Sequence, residues 1–329
     1  MSDQSLNDAS PGASSSKTTP EIIPQTPKPN SCSFKDIEMV KVLSEVKFPV
    51  YHVTSNGKDY AMKLFDSQDS QARAGFSNEV RLASLNHPNI VKTVYNEKNR
   101  RFECEDSSMK ASFILTEFAP NGDFYDFVGN YSQYFNEKLI RTYFHHLIKG
   151  LEFLHNQNFA HLDIKLENLL IGEDFNLRIA DFDLSCSTSV RQILVRGTKC
   201  YRAPEMIEAQ CTNGPAADIY SAGIFLFILK SGGIVPHTEY KSYKGIDLLD
   251  LFNNNNTEFW RAHCRIQKKM ASNFSEEFKE LVNGMMRFNP EERLSIPQIK
   301  KSEWYNGEIY TNEELKKVVQ RLQTLGNNE

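Results

Sequence analysis

Cysteine is scarce and scattered. The six residues Cys32, Cys104, Cys186, Cys200, Cys211 and Cys264 form no CxxC pair, which excludes a thiolate zinc site or a disulfide framework and fits a reducing compartment. Long apolar runs are missing too. The longest, Ala222 to Leu229, falls far short of the ~20 residues of a membrane-spanning helix, so no membrane association is expected. The first residues, MSDQSLNDAS, show no basic start followed by an apolar run, so no secretory signal is expected. Neither sign of charge is in excess: 38 Lys+Arg stand against 42 Asp+Glu, a net −4, which argues against a nucleic-acid binder. There is no Walker-type phosphate loop, because Gly57-Lys58 runs into Asp59 and lacks the upstream glycine. GxGxxG and HExxH are also absent. His145-His146 has no third ligand at a sensible spacing and reads as helix composition.

What remains is an ordinary globular chain of 329 residues, 40% apolar and 24% charged. That length suits roughly two domains or one two-lobed unit. It can bury about three quarters of its unfolded surface without help from metals or disulfides.

Residues 1–33 hold five of the thirteen prolines and no aromatic residue, so they read as a disordered Ser/Pro-rich leader. Ser10-Pro11, Thr19-Pro20 and Thr26-Pro27 match proline-directed phosphorylation sites, or are simply parts of a solvated leader. From Phe34 short β-rich runs follow: Met39–Leu43, Val50–Thr54 and Asp59–Phe65, the last two separated by Ser55-Asn56-Gly57 as in a hairpin. A helix is expected around Phe76–Leu85, ended by His87-Pro88. Strands Ile90–Tyr95 and Ser112–Phe118 should flank a polar loop containing Asn99-Arg100-Arg101. After Asn121-Gly122-Asp123 the chain turns helical, with Leu139, Tyr143, His146, Leu147, Gly150, Leu151 and Leu154 at helical spacing. Ala222–Leu229 is apolar all round and should be a central buried helix. Asn253–Asn256 reads as a polar loop. Asn312–Leu325 carries an amphipathic stripe of Leu315, Val318, Val319, Leu322 and Leu325 that should pack on the body.

The chemistry concentrates in His161-Leu162-Asp163-Ile164-Lys165-Leu166-Glu167-Asn168 and in Asp181-Phe182-Asp183. A polar surface hairpin would account for any one of these residues. It does not account for two carboxylates, a lysine and an amide between apolar flanks.

Here the sequence resembles the eukaryotic-type protein kinases, from about Phe34 to Trp304. His161–Asn168 matches the catalytic loop HRDxKxxN, and Asp181-Phe182-Asp183 matches DFG. Ala61-Met62-Lys63 matches the VAIK strand, with Glu79 at the place of the partner glutamate. Ala203-Pro204-Glu205 is an unaltered APE, Asp218–Gly223 matches DxWSxG, and Arg293 matches the buried arginine that pairs with the APE glutamate. The resemblance implies a two-lobed α+β kinase fold: a small β-rich N-lobe with one main helix over 34–119 and a helical C-lobe over 120–304. A tail with a short amphipathic helix, 305–329, would follow.

It implies the following roles. Lys63, positioned by Glu79, would hold the α- and β-phosphates of ATP. Asn168 and Asp181 would ligate Mg²⁺. Asp163 would be the catalytic base toward the substrate hydroxyl. Lys165 would offset charge on the transferred phosphoryl group, a contribution on the order of 3–4 kcal/mol for a preorganised charge. Thr198 would brace Asp163 and Lys165. The nucleotide would touch Leu43, Ser44, Val46, Tyr51, Ala61 and Leu170, with backbone hydrogen bonds from Glu117 and Ala119 and Thr116 as gatekeeper. The lysine after Asp163 and the pair Gly197-Thr198 resemble serine/threonine kinases, and the C-lobe looks most like the calcium/calmodulin-dependent and AMP-activated branch. Protein substrates with basic residues near the target are implied by Asp123 and Glu167. A monomer in the cytoplasm, or alternatively the nucleus, is expected.

Three departures stand out. The glycine-rich loop reads Leu43-Ser44-Glu45-Val46-Lys47-Phe48-Pro49-Val50-Tyr51, with Ser44, Val46 and Pro49 in place of glycines. Proline removes an N–H donor. A hydrogen bond to a charged group contributes about 1.5–3 kcal/mol, so the expected cost in ATP affinity is roughly one to two decades. Asp183 replaces the DFG glycine, where a left-handed backbone is expected. Leu162 replaces the HRD arginine, so activity should not depend strongly on a phosphate at Thr188 or Ser189. The sequence therefore reads as an active serine/threonine kinase with a degenerate lid. The alternative is a pseudokinase that binds or scaffolds with little phosphotransfer.

Overall fold

The computed structural model describes residues 37–104, 107–237, 248–267 and 273–326. The expected leader 1–33, with its three Ser/Thr-Pro pairs and Cys32, lies outside the described residues.

Strands β1 (Glu38–Ser44), β2 (Val50–Ser55) and β3 (Lys58–Asp66) precede helix α1 (Ser70–Leu82). Then β4 (Thr93–Cys104) and β5 (Ser107–Glu117) complete a five-stranded sheet of order β1-β2-β3-β5-β4. The β2–β3 turn is set by Asn56 at φ 51° and Gly57 at φ 71°, the pair of left-handed residues a two-residue hairpin requires. Alternation along β3 sorts the sheet's two faces. Met62 and Leu64 pack with Tyr51, Val53, Phe113 and Leu115. Phe65, with Ala61 and Lys63 in the same alternation, faces the side carrying α1.

Helix α1 begins earlier than periodicity suggests. Asp69 caps it, accepting from the amides of Gln71 (2.7 Å) and Ala72 (3.4 Å), and it ends at Leu82, short of Leu85. Small residues in its first turns hide the pattern, and the cap was the available signal. Asn99-Arg100-Arg101 is not a loop: it lies within β4, where a bulge between Glu97 and Arg100 places Asn99 at φ 59°. Strand β4 also starts later than expected, since Ile90 makes only an isolated bridge to Ile179.

The larger lobe holds α2 (Phe124–Tyr131), α3 (Glu137–Asn156), the short strands β6 (Phe159–Ala160), β7 (Leu169–Ile171), β8 (Leu177–Ile179) and β9 (Cys186–Ser187), and α4 (Pro204–Ile207). It continues with α5 (Gly214–Ser231), α6 (Leu248–Asn254), α7 (Asn256–Gln267), α8 (Glu276–Met285), α9 (Ile296–Lys301) and α10 (Asn312–Gly326). Helix α5 is the central buried helix expected. Asn213 caps its start, accepting from Ala216 N at 3.1 Å, and Gly232 at φ 79° ends it. Asn253–Asn256 is not an extended loop, because only Asn255 separates α6 from α7. Asn256 instead accepts from the Trp260 indole at 3.0 Å. Helix α10 buries Leu315, Val319 and Leu322 against the body, while Gln323 donates to Asn121 at the strap between the lobes (3.0 Å). Cys186 and Cys211 are buried, and Cys200 and Cys264 are half-buried. Among the described residues no helix is long and apolar enough to cross a membrane.

Candidate active site

The loop between β6 and β7 is hung from α5. Asp218, fully buried, accepts from the backbone amides of His161 (2.8 Å) and Leu162 (2.7 Å) and from the His155 imidazole (2.9 Å). His161 in turn donates to the Ala180 carbonyl (2.9 Å) and meets the Phe182 ring edge-on, so the two acidic segments share one support. Sequence reasoning matched Asp218 to a motif without giving it a task. A lone carboxylate in an apolar helix was the signal.

Leu162 takes φ 69° and is buried. It crowds Gly214 together with Ile193 of the segment that follows β9: a Cβ built on Gly214 would lie 3.4 Å from Leu162 and 3.2 Å from Ile193. Where the family pattern has a charge, this chain packs an apolar contact between loop and segment. Gly197, at φ 85°, brings the same segment close: its Cβ would fall 2.5 Å from the Leu162 carbonyl oxygen, a position only glycine tolerates.

That approach delivers Thr198 to Asp163. One Asp163 oxygen accepts from the Thr198 amide (2.8 Å) and hydroxyl (2.9 Å). The other accepts from Asn168 Nδ2 (3.0 Å) and the Lys165 ammonium (3.0 Å). Lys165 also donates to the Thr198 hydroxyl at 3.0 Å. The four residues thus form one connected network around a nearly buried carboxylate. The Asn168 amide nitrogen is committed to Asp163, which leaves its carboxamide oxygen as the free acceptor.

Across the cleft, Lys63 donates to Glu79 (2.9 Å) and to Asp181 (2.5 Å). Burial alone would lower the Lys63 ammonium, but the carboxylates of Glu79, Asp181 and Asp183 outweigh it and hold the group well above its ordinary value. Burial would raise Asp181, yet the Lys63 charge dominates and keeps it well below the usual carboxylate range. Asp183 goes the other way, pushed up by burial and then by the Asp181 charge. The left-handed residue here is Asp181, at φ 67°, while Asp183 is not among the residues with positive φ. The expected strain at Asp183 is therefore absent, because the turn places its left-handed residue two positions earlier.

Two of the expected nucleotide contacts fail. Tyr51 is 1% exposed and packs in the apolar cluster on the sheet face away from Lys63. It is Val50 that pairs with Lys63 across β2–β3, so the loop is one residue shorter than the pattern, and a one-residue offset inverts the face. Val46 is 93% exposed at the lid tip and touches nothing in the cleft. Ser44 ends β1, and its hydroxyl is occupied by the Val46 amide at 3.5 Å. Leu43 is exposed and Ala61 and Leu170 are half-buried, and Thr116 sits opposite Ala61 with its hydroxyl on the Ala61 carbonyl (3.5 Å). Glu117 and Ala119 lie in the strap. The Glu117 amide donates to the Lys92 carbonyl, and the Ala119 carbonyl accepts from Gly122. Asp123 caps α2 through the Asp126 amide (2.9 Å), whereas Glu167 is exposed.

Residues 45–49 complete the roof. Phe48 is buried against Phe65 (ring centroids 4.9 Å apart) and α1, 5.5 Å from the Lys63 ammonium. The ring sits on the α1 side of Lys63, packed with Ala72 and Phe76. Lys47 forms an ion pair with Asp183. Neither contact was foreseen.

The donor set suits a triphosphate with a hard divalent ion. One ammonium faces the cleft, and the carboxylate of Asp181 and the carboxamide oxygen of Asn168 are the few protein oxygens such an ion takes beside phosphate. At the base of the larger lobe, Arg293 grips Glu205 with two bonds of 2.6 Å, both groups buried.

Comparison with known proteins points the same way. The family profile described as protein kinase domain matches residues 48–305. The chain is 30% identical over 261 residues to CBL-interacting protein kinase 26 of Oryza sativa subsp. japonica, covering 76% of this chain and 48% of that protein. It is 30% identical over 260 residues to CBL-interacting serine/threonine-protein kinase 8 of Arabidopsis thaliana (77% and 53%). It is 29% identical over 290 residues to the Aurora kinase of Saccharomyces cerevisiae (84% and 71%). The chain thus spans about half the length of the plant relatives it matches.

Proposed function

The chain belongs to the protein kinase family, and on that premise we propose that it transfers the γ-phosphoryl group of ATP to serine or threonine hydroxyls of proteins. The observation that carries this reading is the preformed Lys63–Glu79 and Lys63–Asp181 pairing. A module that only binds partners has no chemical need for an ammonium aimed between two acids.

Each residue then has a task. Lys63 holds the α- and β-phosphates, and Glu79 keeps it from collapsing onto Asp181 alone. Asp181 and Asn168 would hold Mg²⁺, which neutralises phosphate charge when bound. Asp163 aligns the substrate hydroxyl and takes its proton as the new oxygen–phosphorus bond forms and the bond to the ADP oxygen breaks. Lys165 stabilises charge on the phosphoryl oxygens, and Thr198 keeps Asp163 and Lys165 in register. Basic peptides are the substrates of choice, through exposed Glu167 beside Asp123.

The scaffold reading draws on the lid, whose glycines are gone. One experiment separates the two: phosphate transfer from labelled ATP to a basic peptide, with Mg²⁺ or Mn²⁺, for the native chain and Asp163→Asn. We expect the variant to lose between about 10² and 10⁴ in rate. Transfer undiminished in Asp163→Asn would sink the assignment. Thermal stabilisation by nucleotide without turnover in the native chain would favour the scaffold.

A further inference from the structure

The lid departs from the family pattern at Ser44, Val46 and Pro49 and the acid loop at Asp183, and Lys47 of the lid touches Asp183. We propose that Lys47 and Asp183 are one device: a latch that fixes the lid over the cleft and ties it to α1, replacing by side-chain contacts the hold that glycine backbone amides would have on a phosphate. The inference rests on the nucleotide-binding part of the proposed function.

Three elements meet at one point. From the lid, Lys47 reaches Asp183, and the neighbouring Phe48 ring enters the hollow between β3 and α1. From the acid loop, the Asp183 backbone carbonyl accepts from Asn78 of α1 at 2.7 Å. From α1, Gly75 supplies the room: a Cβ there would lie 3.0 Å from the Phe48 ring and 3.4 Å from the Asp183 Cβ. Gly75 stands one helical turn before Glu79, so whatever seats the lid also bears on the helix that presents Glu79 to Lys63. Pro49 finishes the anchorage, its carbonyl accepting from Leu64 of β3 at 2.9 Å.

The asymmetry of the pair makes it testable. The Lys47 side chain is 47% exposed and that of Asp183 3%. An exposed ammonium left alone returns to water at little cost. A buried carboxylate left alone next to Asp181 cannot, and stranding one charge of such a pair is more damaging than deleting both. Lys47 is therefore a positioning residue whose importance depends on Asp183. Restoring glycine at 183 should remove that dependence.

The test is a double-mutant cycle in the full chain with Lys47→Ala, Asp183→Gly and both together, plus Lys47→Arg. The readouts are calorimetric affinity for ADP with Mg²⁺ and amide exchange of residues 45–50 and of α1 without nucleotide. We expect Lys47→Ala to weaken ADP binding about tenfold and speed exchange in both segments when Asp183 is present. With glycine at 183 the same change should cost less than about twofold, and Lys47→Arg should restore slow exchange. Equal effects of Lys47→Ala in both backgrounds, or a lid whose exchange ignores every variant, overturn the latch. Amide exchange needs no turnover, so a chain with coupled exchange and no phosphate transfer would keep the latch and lose the enzymatic reading.

Discussion

The catalytic loop and the lid hold their shape by opposite means. The loop around Asp163 is fixed by buried polar bonds to the backbone: Asp218 holds two amides, Thr198 and Asn168 hold the carboxylate, and Gly197 permits the close approach. The lid is fixed mainly by side chains, an ion pair at Lys47 and a ring at Phe48, with one backbone bond from Leu64 to Pro49. The difference explains which part follows the family pattern. Asp163, Lys165, Asn168 and Asp181 would meet reacting atoms, so their chemistry leaves little freedom. A lid needs only to be in place, and packing can do that as well as glycine.

The largest blow to this contrast falls on the loop. Asp218→Ala strands the amides of His161 and Leu162 in a buried site, at about 1–3 kcal/mol for each unsatisfied donor. That is a large share of a typical stability of about 5–15 kcal/mol. We expect a marked fall in melting temperature together with loss of phosphate transfer, measured by calorimetry and the peptide assay. Lys47→Ala should leave the melting transition of the larger lobe in place. If Asp218→Ala melts like the native chain, the loop is not hung from α5.

Acid sharpens the same contrast, because two strongly perturbed histidines lie in the larger lobe. Burial lowers His146 and His263 to about 4. His263 donates Nε2 to the Pro236 carbonyl at 2.7 Å, and its Nδ1 finds no partner among the described residues. A histidine whose folded value is depressed binds protons more readily when unfolded. Stability is therefore full above about 6.5, the unfolded value, and falls as pH drops toward 4. From pH 7 to pH 5 His263 should cost about 2 kcal/mol. Trp260 and Trp304, the chain's two tryptophans, both report on this lobe. Their unfolding transition should shift to lower denaturant over that range, and His263→Gln should flatten the shift by the corresponding amount. An unchanged pH profile in the variant would remove His263 from the account.

How much of this was legible depended on which force set each feature. Contiguous motifs carried the catalytic network, since Asp163, Lys165 and Asn168 lie within six residues and chemistry restricts all three. The central helix announced itself by being apolar on every side. What stayed hidden was decided by geometry. The offset that turns Tyr51 away from the cleft and Val50 toward it is a loop one residue short, and alternation is the same for either face until the turn is seen. Asn99 marks a bulge within a strand and not a loop, because asparagine's tolerance of a left-handed backbone serves both. The Lys47–Asp183 pair joins residues 136 apart, and no local pattern predicts it.

The smallest effect is the most pointed about the lid. Val46 replaces a glycine of the pattern, although the expected cost in nucleotide binding lay with the donor lost at Pro49. Its side chain is 93% exposed, beyond the contacts of Lys47 and Phe48. A glycine there would remove no obstacle from the cleft, since the valine projects into water. It would add backbone freedom to the unfolded chain and cost about 0.5–1 kcal/mol at most. We therefore expect Val46→Gly to change ADP affinity by less than about twofold and the melting temperature by a few degrees at most. If the lid instead worked through backbone flexibility, this reversion toward the pattern should tighten nucleotide binding severalfold. Calorimetric titration of the two proteins side by side decides whether the lid's position or its pliancy matters.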